Sequence, residues 1–582
     1  MRHGFVTVAA AVPSVRVADT DFNLRAIECQ IARAEGMGVE VLCFPELSLT
    51  GYTCQDLFRS QLLVDKAEEA LLQLLDFTRK LDVISIVGLP VAVGGLLLNC
   101  AAVVQKGSLL GIVPKTYLPN YNEFYEKRWF ASSRDLRPTE VYLAGSSVVL
   151  SPDPKVFVTV DGTRFGIEIC EDVWAPVPPS NNLALAGADI VFNLSASNEL
   201  IGKHAYLKSL LAQQSARTIS GYVYAGSGFG ESTQDVVYGG NALVYENGAL
   251  LGEGDRFSLE PQLLVAQVDV DRLRSERRSN TTFVNASRTA GATVVQAKPV
   301  EARDFMLLRD VEPWPFVPQG SDSEAALNEV LDIQTLGLAQ RLAHTKCCQV
   351  VVGISGGLDS TLALLVCVRA FDRLKIDRRG IVGVTMPGTP ARTHDNAVAL
   401  MQSLGVSSRE ISIKASVERH FMDIGHDMGV HDVTYENSQA RERTQILMDL
   451  ANELGGFVVG TGPQRARPWV GHIQRRPHIY VRRQRRGTED AHTPPREAHS
   501  HDGGRRDVAR HLARHHRHAH QPGADTGRRA GQHKPEDREP GGPLRAPRLL
   551  PLLRRALRLP PSQDLHAGPP RLQRLAPRGR PL

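Results

Sequence analysis

Three short apolar runs each end in one reactive side chain. FPELSLTGY carries Glu46, GIVPKTYLPNYNEFYEKR carries Lys115, and FGIEICEDVW carries Cys170. Singly, each has a plain structural reading: Glu after Pro as a turn residue, Lys as a solvated surface charge, Cys as a small core hydrophobe. Together they supply what amide hydrolysis needs: a thiolate nucleophile, a carboxylate to take its proton and later activate water, and a cation to steady the developing oxyanion. A second constellation is Gly353-Ile354-Ser355-Gly356-Gly357-Leu358-Asp359-Ser360, between an apolar run and the helix-forming DSTLALLVCVRAF. Glycines let backbone approach an anion, hydroxyls add donors, and a following helix presents free N–H groups. It is not a Walker loop, because no Gly-Lys-Ser/Thr is present; an ordinary Gly-rich turn between strand and helix is the alternative.

Both sets require strands that end in loops. Residues 1–300 alternate β-rich runs (FVTVAAAV, VEVLCFPEL, ADIVFNLS, YVYAGSG) with helical stretches such as NLRAIECQIARAEGMG, the pattern of an α/β protein whose central strands are buried on both faces. VISIVGLPVAVGGLLL, too short to span a bilayer and broken by Pro90 and glycines, reads as two strands around a turn. MRHGFVTVAAAVPSV reads as a first strand and not a signal peptide. The irregular text around PWPFVPQGSDSE marks a linker, and CQVVVGISGG opens a second α/β unit. The expected organisation is a hydrolase domain at 1–290, a linker at 291–325, the first part of a nucleotide-using domain at 326–462, and a tail at 463–582. Eight cysteines without a CxxC pair indicate neither a zinc site nor a disulfide framework, and point to a reducing, cytoplasmic setting.

The order and spacing of the first set resemble the nitrilase-type carbon–nitrogen hydrolases over roughly residues 4–285. The resemblance implies a four-layer α-β-β-α sandwich with Glu46 as general base, Lys115 as oxyanion stabiliser and Cys170 as nucleophile. It also implies Tyr121, Ser197 and Lys203 as contacts to glutamine, Lys203 standing where relatives carry Arg, a point charge in place of a bidentate fork. SGGLDS resembles the pyrophosphatase loop of ATP-dependent amidating enzymes, and IVGVTMPGTPARTHDNA and ENSQAR resemble NAD synthetases. That likeness implies a Rossmann-like, adenine nucleotide alpha-hydrolase type parallel sheet. ATP would be held by Gly353 to Ser360 and Thr461, Mg2+ assisted by Asp359, and deamido-NAD contacted by Asn437. The two domains in this order are the architecture of the glutamine-dependent NAD(+) synthetases, which implies small-molecule substrates, homo-oligomers and no membrane or nucleic-acid partner.

The pattern stops at Gly460-Thr461-Gly462. The family continues with an acidic DLSELALGW-type segment, whereas PQRARPW follows here. Re-reading the codons of 462–473 one base along permits Asp-Leu-Ser-Glu-Leu-Ala-Leu-Gly-Trp, and the single Trp469 codon followed by a Val codon forces the Gly. From 463 onward there are 26 Arg, one Lys and 12 His against 10 Asp plus Glu, a charge of +17, so residues 1–462 carry −12 of the chain's +5. A frameshift after Gly462 accounts for this text, leaving a disordered tail, an incomplete second domain and a defective synthetase. The alternatives are a stand-alone amide hydrolase with an idle second domain, and a genuine basic tail that binds nucleic acid or an acidic surface.

Overall fold

A computed structural model describes residues 3–300, then 305–386 apart from 312, 314–316, 319 and 321–322, then 392–460 and the strand at 481–482. Thr461, the text at the proposed break and the tail beyond 482 lie outside the described residues. The chain divides into two units, Met1–Val311 and Glu312–Leu582.

In the first unit the strands run β1 (Phe5–Val12), β2 (Val41–Cys43), β3 (Ile84–Val93), β4 (Leu96–Gln105), β5 (Ser108–Pro114), β6 (Thr139–Leu143), β7 (Ser146–Leu150), β8 (Lys155–Val158) and β9 (Arg164–Ile169). They continue with β10 (Ile190–Ser195), β11 (Gly221–Gly226), β12 (Ala242–Glu246), β13 (Ala249–Glu253), β14 (Gln262–Asp269) and β15 (Thr293–Gln296). The helices are α1 (Thr20–Gly36), α2 (Gln61–Phe77), α3 (Pro179–Leu185), α4 (Lys203–Thr218), α5 (Val270–Ser279) and α6 (Thr281–Ser287). Two sheets form, in the orders β14-β1-β2-β3-β4-β5 and β13-β12-β11-β10-β9-β8-β15. The expected pair at 83–98 is β3 and β4, joined at Gly94 and Gly95 with φ of 53° and 85°, the double positive φ that a tight hairpin requires.

The period-two alternation of strands sorts side chains into layers. Val6, Val8, Ala10 and Val12 of β1 meet Phe165, Ile167, Phe192 and Val223 of the second sheet. Ala9 and Ala11 point the other way, to Ile27, Ile31, Leu71 and Leu74 of α1 and α2. On the far side, Leu207 and Leu211 of α4 cover Val191, Tyr222 and Tyr224. The result is the four-layer α-β-β-α sandwich.

The stretch 291–325, expected as a linker, begins inside this unit. β15 pairs in parallel with β8, Thr293 opposite Lys155, and the side chain of Gln267 in β14 brackets a later segment, donating to Met306 O at 2.9 Å and accepting from Leu308 N at 2.9 Å. Short, mostly exposed strand text does not announce itself, and its partner is distant in sequence.

The second unit contains α7 (Ser323–Thr345), β16 (Val350–Gly353), α8 (Leu358–Leu374), β17 (Ile381–Thr385), α9 (Arg392–Leu404), β18 (Ser407–Glu410), α10 (Lys414–Ile424), α11 (Val433–Glu453), β19 (Phe457–Val459) and β20 (Val481–Arg482). The sheet order is β18-β17-β16-β19-β20, the first four strands parallel and the last antiparallel. Val350 and Val352 pack on Leu338, Leu364 and Phe371 on one face, and Val351 packs with Leu450 and Ala451 on the other. From β16 the chain builds outward to β17 and β18, then returns to the opposite side as β19. That reversal opens a crevice at the carboxyl end of β16, the usual ligand position in such sheets.

Candidate active site

Glu46, Lys115 and Cys170 each follow a strand: β2, β5 and β9. All three are buried, at 1%, 1% and 6% exposure. Lys115 Nζ donates to Glu46 Oε1 at 2.5 Å. Glu46 also accepts from Asn99 Nδ2 at 2.7 Å and from the backbone of Ala196, just beyond β10, at 3.0 Å. The loop carrying Glu46 crosses β3 at Gly88, where an added Cβ would sit 2.2 Å from Leu47 N. Only glycine permits that approach. Lys115 is fixed by its own backbone, N donating to Asn99 O at 2.8 Å and O accepting from Ser133 N at 2.9 Å.

Cys170 sits at the sharp exit of β9 with φ of 45°, a left-handed conformation that costs on the order of 1–3 kcal/mol for a residue with a side chain. Burial pushes its thiol well up and Glu46 adds to this, while Lys115 opposes it. The thiol therefore ionises only as its proton is accepted nearby. For Lys115, burial disfavours the charge, but Glu126 and Glu46 outweigh it and hold the ammonium well above the ordinary lysine value.

Sequence reasoning misses Glu126, although it lies in the same stretch as Lys115. Its Oε1 accepts from Lys115 Nζ at 2.7 Å and from Tyr52 OH at 2.8 Å. Burial pushes its carboxyl up to about 7, against the pull of Lys115. One buried ammonium thus serves two carboxylates. Asp172 is a second unforeseen residue, accepting backbone N–H groups from both the Lys115 and the Cys170 segments.

The three expected glutamine contacts lie around this centre. Tyr121 OH donates to Glu171 at 2.8 Å, and Lys203 Nζ donates to Asn198 Oδ1 at 2.7 Å. The Lys203 ammonium stands 5.5 Å from the Trp174 ring and 5.7 Å from that of Phe124. Burial lowers its pKa, with Cys170 foremost among the groups opposing the shift. Ser197 is half-buried between Ala196 and Asn198.

In the second unit, Gly353 to Ser360 form the turn from β16 into α8. Gly356 has φ of +81°. The Ser360 hydroxyl donates to Gly357 O at 3.0 Å and accepts from Ser355 N at 3.3 Å, closing the loop on itself. No side chain caps α8, which leaves its first amides for another acceptor, an arrangement that fits an anion. Asp359 is exposed in the first turn. Among the described residues no group of three or more His, Cys, Asp or Glu could hold a metal. A cation here would depend on Asp359 together with phosphate and water oxygens. Asn437 is exposed on α11 and lines a groove of about 450 Å3 with Arg441, Thr444 and Asp449. Leu447 of the same helix packs near Gly353, which leaves Asn437 about 15 Å farther along the helix axis, by its rise per residue.

Comparison with known proteins agrees with this division. Residues 7–278 match the carbon-nitrogen hydrolase family and residues 330–473 match the NAD synthase family. The glutamine-dependent NAD(+) synthetase of Mycobacterium bovis is 39% identical over 476 residues, covering 79% of this chain and 70% of the relative. The enzyme of that name from Mycobacterium leprae is 38% identical over 474 residues (79% and 69%), and that from Aquifex aeolicus 27% over 427 residues (72% and 68%). The crystal structure of a glutamine-dependent NAD(+) synthetase from Cytophaga hutchinsonii aligns with a TM-score of 0.41 and 22% identity, over 79% of this chain and 75% of that one.

Proposed function

This chain belongs to the glutamine-dependent NAD(+) synthetases, and from that premise we propose how its residues divide the work of a glutamine-hydrolysing ligase. Cys170 Sγ attacks the side-chain amide of glutamine as Glu46 takes the thiol proton. Lys115 steadies the oxyanion, and ammonia leaves with the proton Glu46 returns. Glu46 then activates water, which cleaves the γ-glutamyl thioester to glutamate and frees the thiol. The single observation that carries this reading is the buried Lys115–Glu46–Glu126 cluster beneath the strained Cys170 turn. Tyr121, Ser197 and Lys203 bind the amino-acid end of glutamine, with Lys203 as the cation for its carboxylate.

In the second unit the Gly353–Ser360 loop holds the pyrophosphate of ATP, with Thr461 as a further contact, and Asn437 contacts deamido-NAD, whose carboxylate is adenylated and then amidated by ammonia. Mg2+, assisted by Asp359, supplies charge neutralisation for the leaving pyrophosphate when bound. The working division places glutamine hydrolysis at 1–290, ATP-dependent amidation at 326–462 and out-of-frame text at 463–582. It is supported by the charge reversal at that point and by the span of the Mycobacterium bovis relative, which covers 79% of 582 residues, about 460; the NAD synthase match extends past that point, to 473. A homo-oligomer is the expected assembly.

Purified full-length chain, supplied with glutamine, should release glutamate and ammonia, and Cys170→Ala should abolish both. With ATP and deamido-NAD added, neither AMP nor NAD should accumulate. NAD formed in step with AMP would overturn the assigned defect. The stand-alone hydrolase is the second reading, because Glu46, Lys115, Glu126 and Cys170 all lie within Met1–Val311. Glutamine hydrolysis indifferent to ATP and deamido-NAD would favour it.

A further inference from the structure

Lys115 and Cys170 leave different sheets, Lys115 from β5 at the edge of the first and Cys170 from β9 in the second. Between their exits lies one carboxylate, Asp172, 1% exposed. Its Oδ1 accepts from Tyr117 N at 2.7 Å and from Thr116 N at 3.2 Å, the two residues that follow Lys115. Its Oδ2 accepts from Ile169 N, the residue before Cys170, at 2.9 Å. Oδ2 also faces Thr116 N at 3.5 Å, so the one carboxylate joins both strand exits, Oδ1 holding that of Lys115 and Oδ2 chiefly that of Cys170.

Building on the amide-hydrolase reading above, we infer that Asp172 is a positioning residue that sets the separation of the Cys170 nucleophile and the Lys115 cation. It does so by tying the two sheets together at that point and by over-determining the strained turn. The chemistry requires a carboxylate. Burial pushes the Asp172 carboxyl up to about 8, opposed by the Ile169 and Tyr117 N–H groups. Every group facing its oxygens is an N–H donor, and the ionised form, with two acceptor oxygens and no donor, is the one that matches them. Asn keeps the volume but offers one acceptor, so its amide N–H2 must confront either Ile169 N–H or the Thr116 and Tyr117 N–H groups. One tie is then replaced by a donor–donor clash. A backbone carrying Cys170 at φ of 45° holds that conformation only while its surroundings enforce it. Loosening the tie lets the thiol drift from the ammonium, and displacement of about 1 Å can cost about 100-fold in rate.

The test compares native full-length chain with Asp172→Asn and Asp172→Glu. Three readouts are followed: kcat and KM for glutamine hydrolysis, the rate of Cys170 alkylation by iodoacetamide, and alkylation of Cys43 and Cys100, both fully buried, as a monitor of folding. Asp172→Asn should lower kcat at least about tenfold with KM within about threefold, and should slow alkylation of Cys170 while Cys43 and Cys100 stay protected. Asp172→Glu keeps both acceptor oxygens and should fall between native and Asn. A kcat within twofold of native in the Asn variant overturns the assignment, as does a Glu variant no better than Asn. Exposure of Cys43 and Cys100 in both variants also overturns it, since the carboxylate would then serve the fold as a whole. If native chain fails to hydrolyse glutamine, the amide-hydrolase reading falls, yet the native-to-Asn ratio of Cys170 alkylation rates still decides the role of Asp172.

Discussion

Replacing Glu126 by glutamine should make the first unit more stable at alkaline pH and leave it nearly unchanged at acid pH. In the folded chain burial raises the Glu126 carboxyl from 4.5 to about 7. A carboxyl whose folded pKa is raised favours folding fully below the unfolded value, and that contribution is lost as pH climbs through the folded value. Below about pH 5 Glu126 is a neutral acid beside the Lys115 ammonium; above about pH 7 its ionisation adds one buried negative charge to the cluster. At 1.36 kcal/mol for each pH unit between the two values, the native chain loses about 3 kcal/mol across that window. The amide in the Glu126→Gln variant has no proton to lose and keeps an oxygen for the bonds from Lys115 Nζ and Tyr52 OH, so the variant's stability omits this fall. The assay is pulse alkylation of Cys43 and Cys100 in sub-denaturing urea at a series of pH values. Protection in the variant relative to native should grow by about two orders of magnitude between pH 5 and 8. A ratio independent of pH, or one that falls as pH rises, would refute the reasoning, for it would mean that Glu126 is an ordinary ionised partner of Lys115.

Two further substitutions probe how the site is held. Gly88→Ala places a methyl 2.2 Å from Leu47 N and 2.9 Å from the Glu46 carbonyl carbon; overpacking of this kind costs about 1–3 kcal/mol, and the displaced Glu46 loop should lose about 100-fold in kcat, read by steady-state glutaminase kinetics beside thermal unfolding. Lys203→Arg restores a planar fork for the glutamine carboxylate, and should lower KM several-fold with kcat within about twofold; a KM unchanged or raised would remove Lys203 from the carboxylate contact.

Much of the architecture is legible in the sequence because it rests on local signals. The alternation of apolar runs and helical stretches marks the two α/β units, Gly94 and Gly95 mark a hairpin, and reactive residues follow strand text. Glu46 and Lys115, named for their types and places in the chain, do form one buried ion pair. Other features depend on distant partners. Glu126 reaches Lys115 only because the irregular segment after β5 folds back through a single helical turn at Glu126–Arg128, a path with no periodicity to read. Asp172 is one of two acids after the cysteine, and nothing in CEDVW tells which of them bridges two sheets and which, like Glu171, accepts from Tyr121. β15 carries no clear alternation, being exposed along most of its length, so TVVQ passes for linker. Asn437 rests on likeness alone, and the helix that carries it shows a groove but no contact that defines a role.

The left-handed backbone at Cys170 sets stability against activity at a single position. Relief of that strain is open only to a residue without a Cβ, which means glycine, and glycine has no sulfur. Any lineage drifting toward a more stable turn would therefore lose glutamine hydrolysis in the same step, and selection for that chemistry must keep renewing a conformational cost that no neighbouring substitution removes.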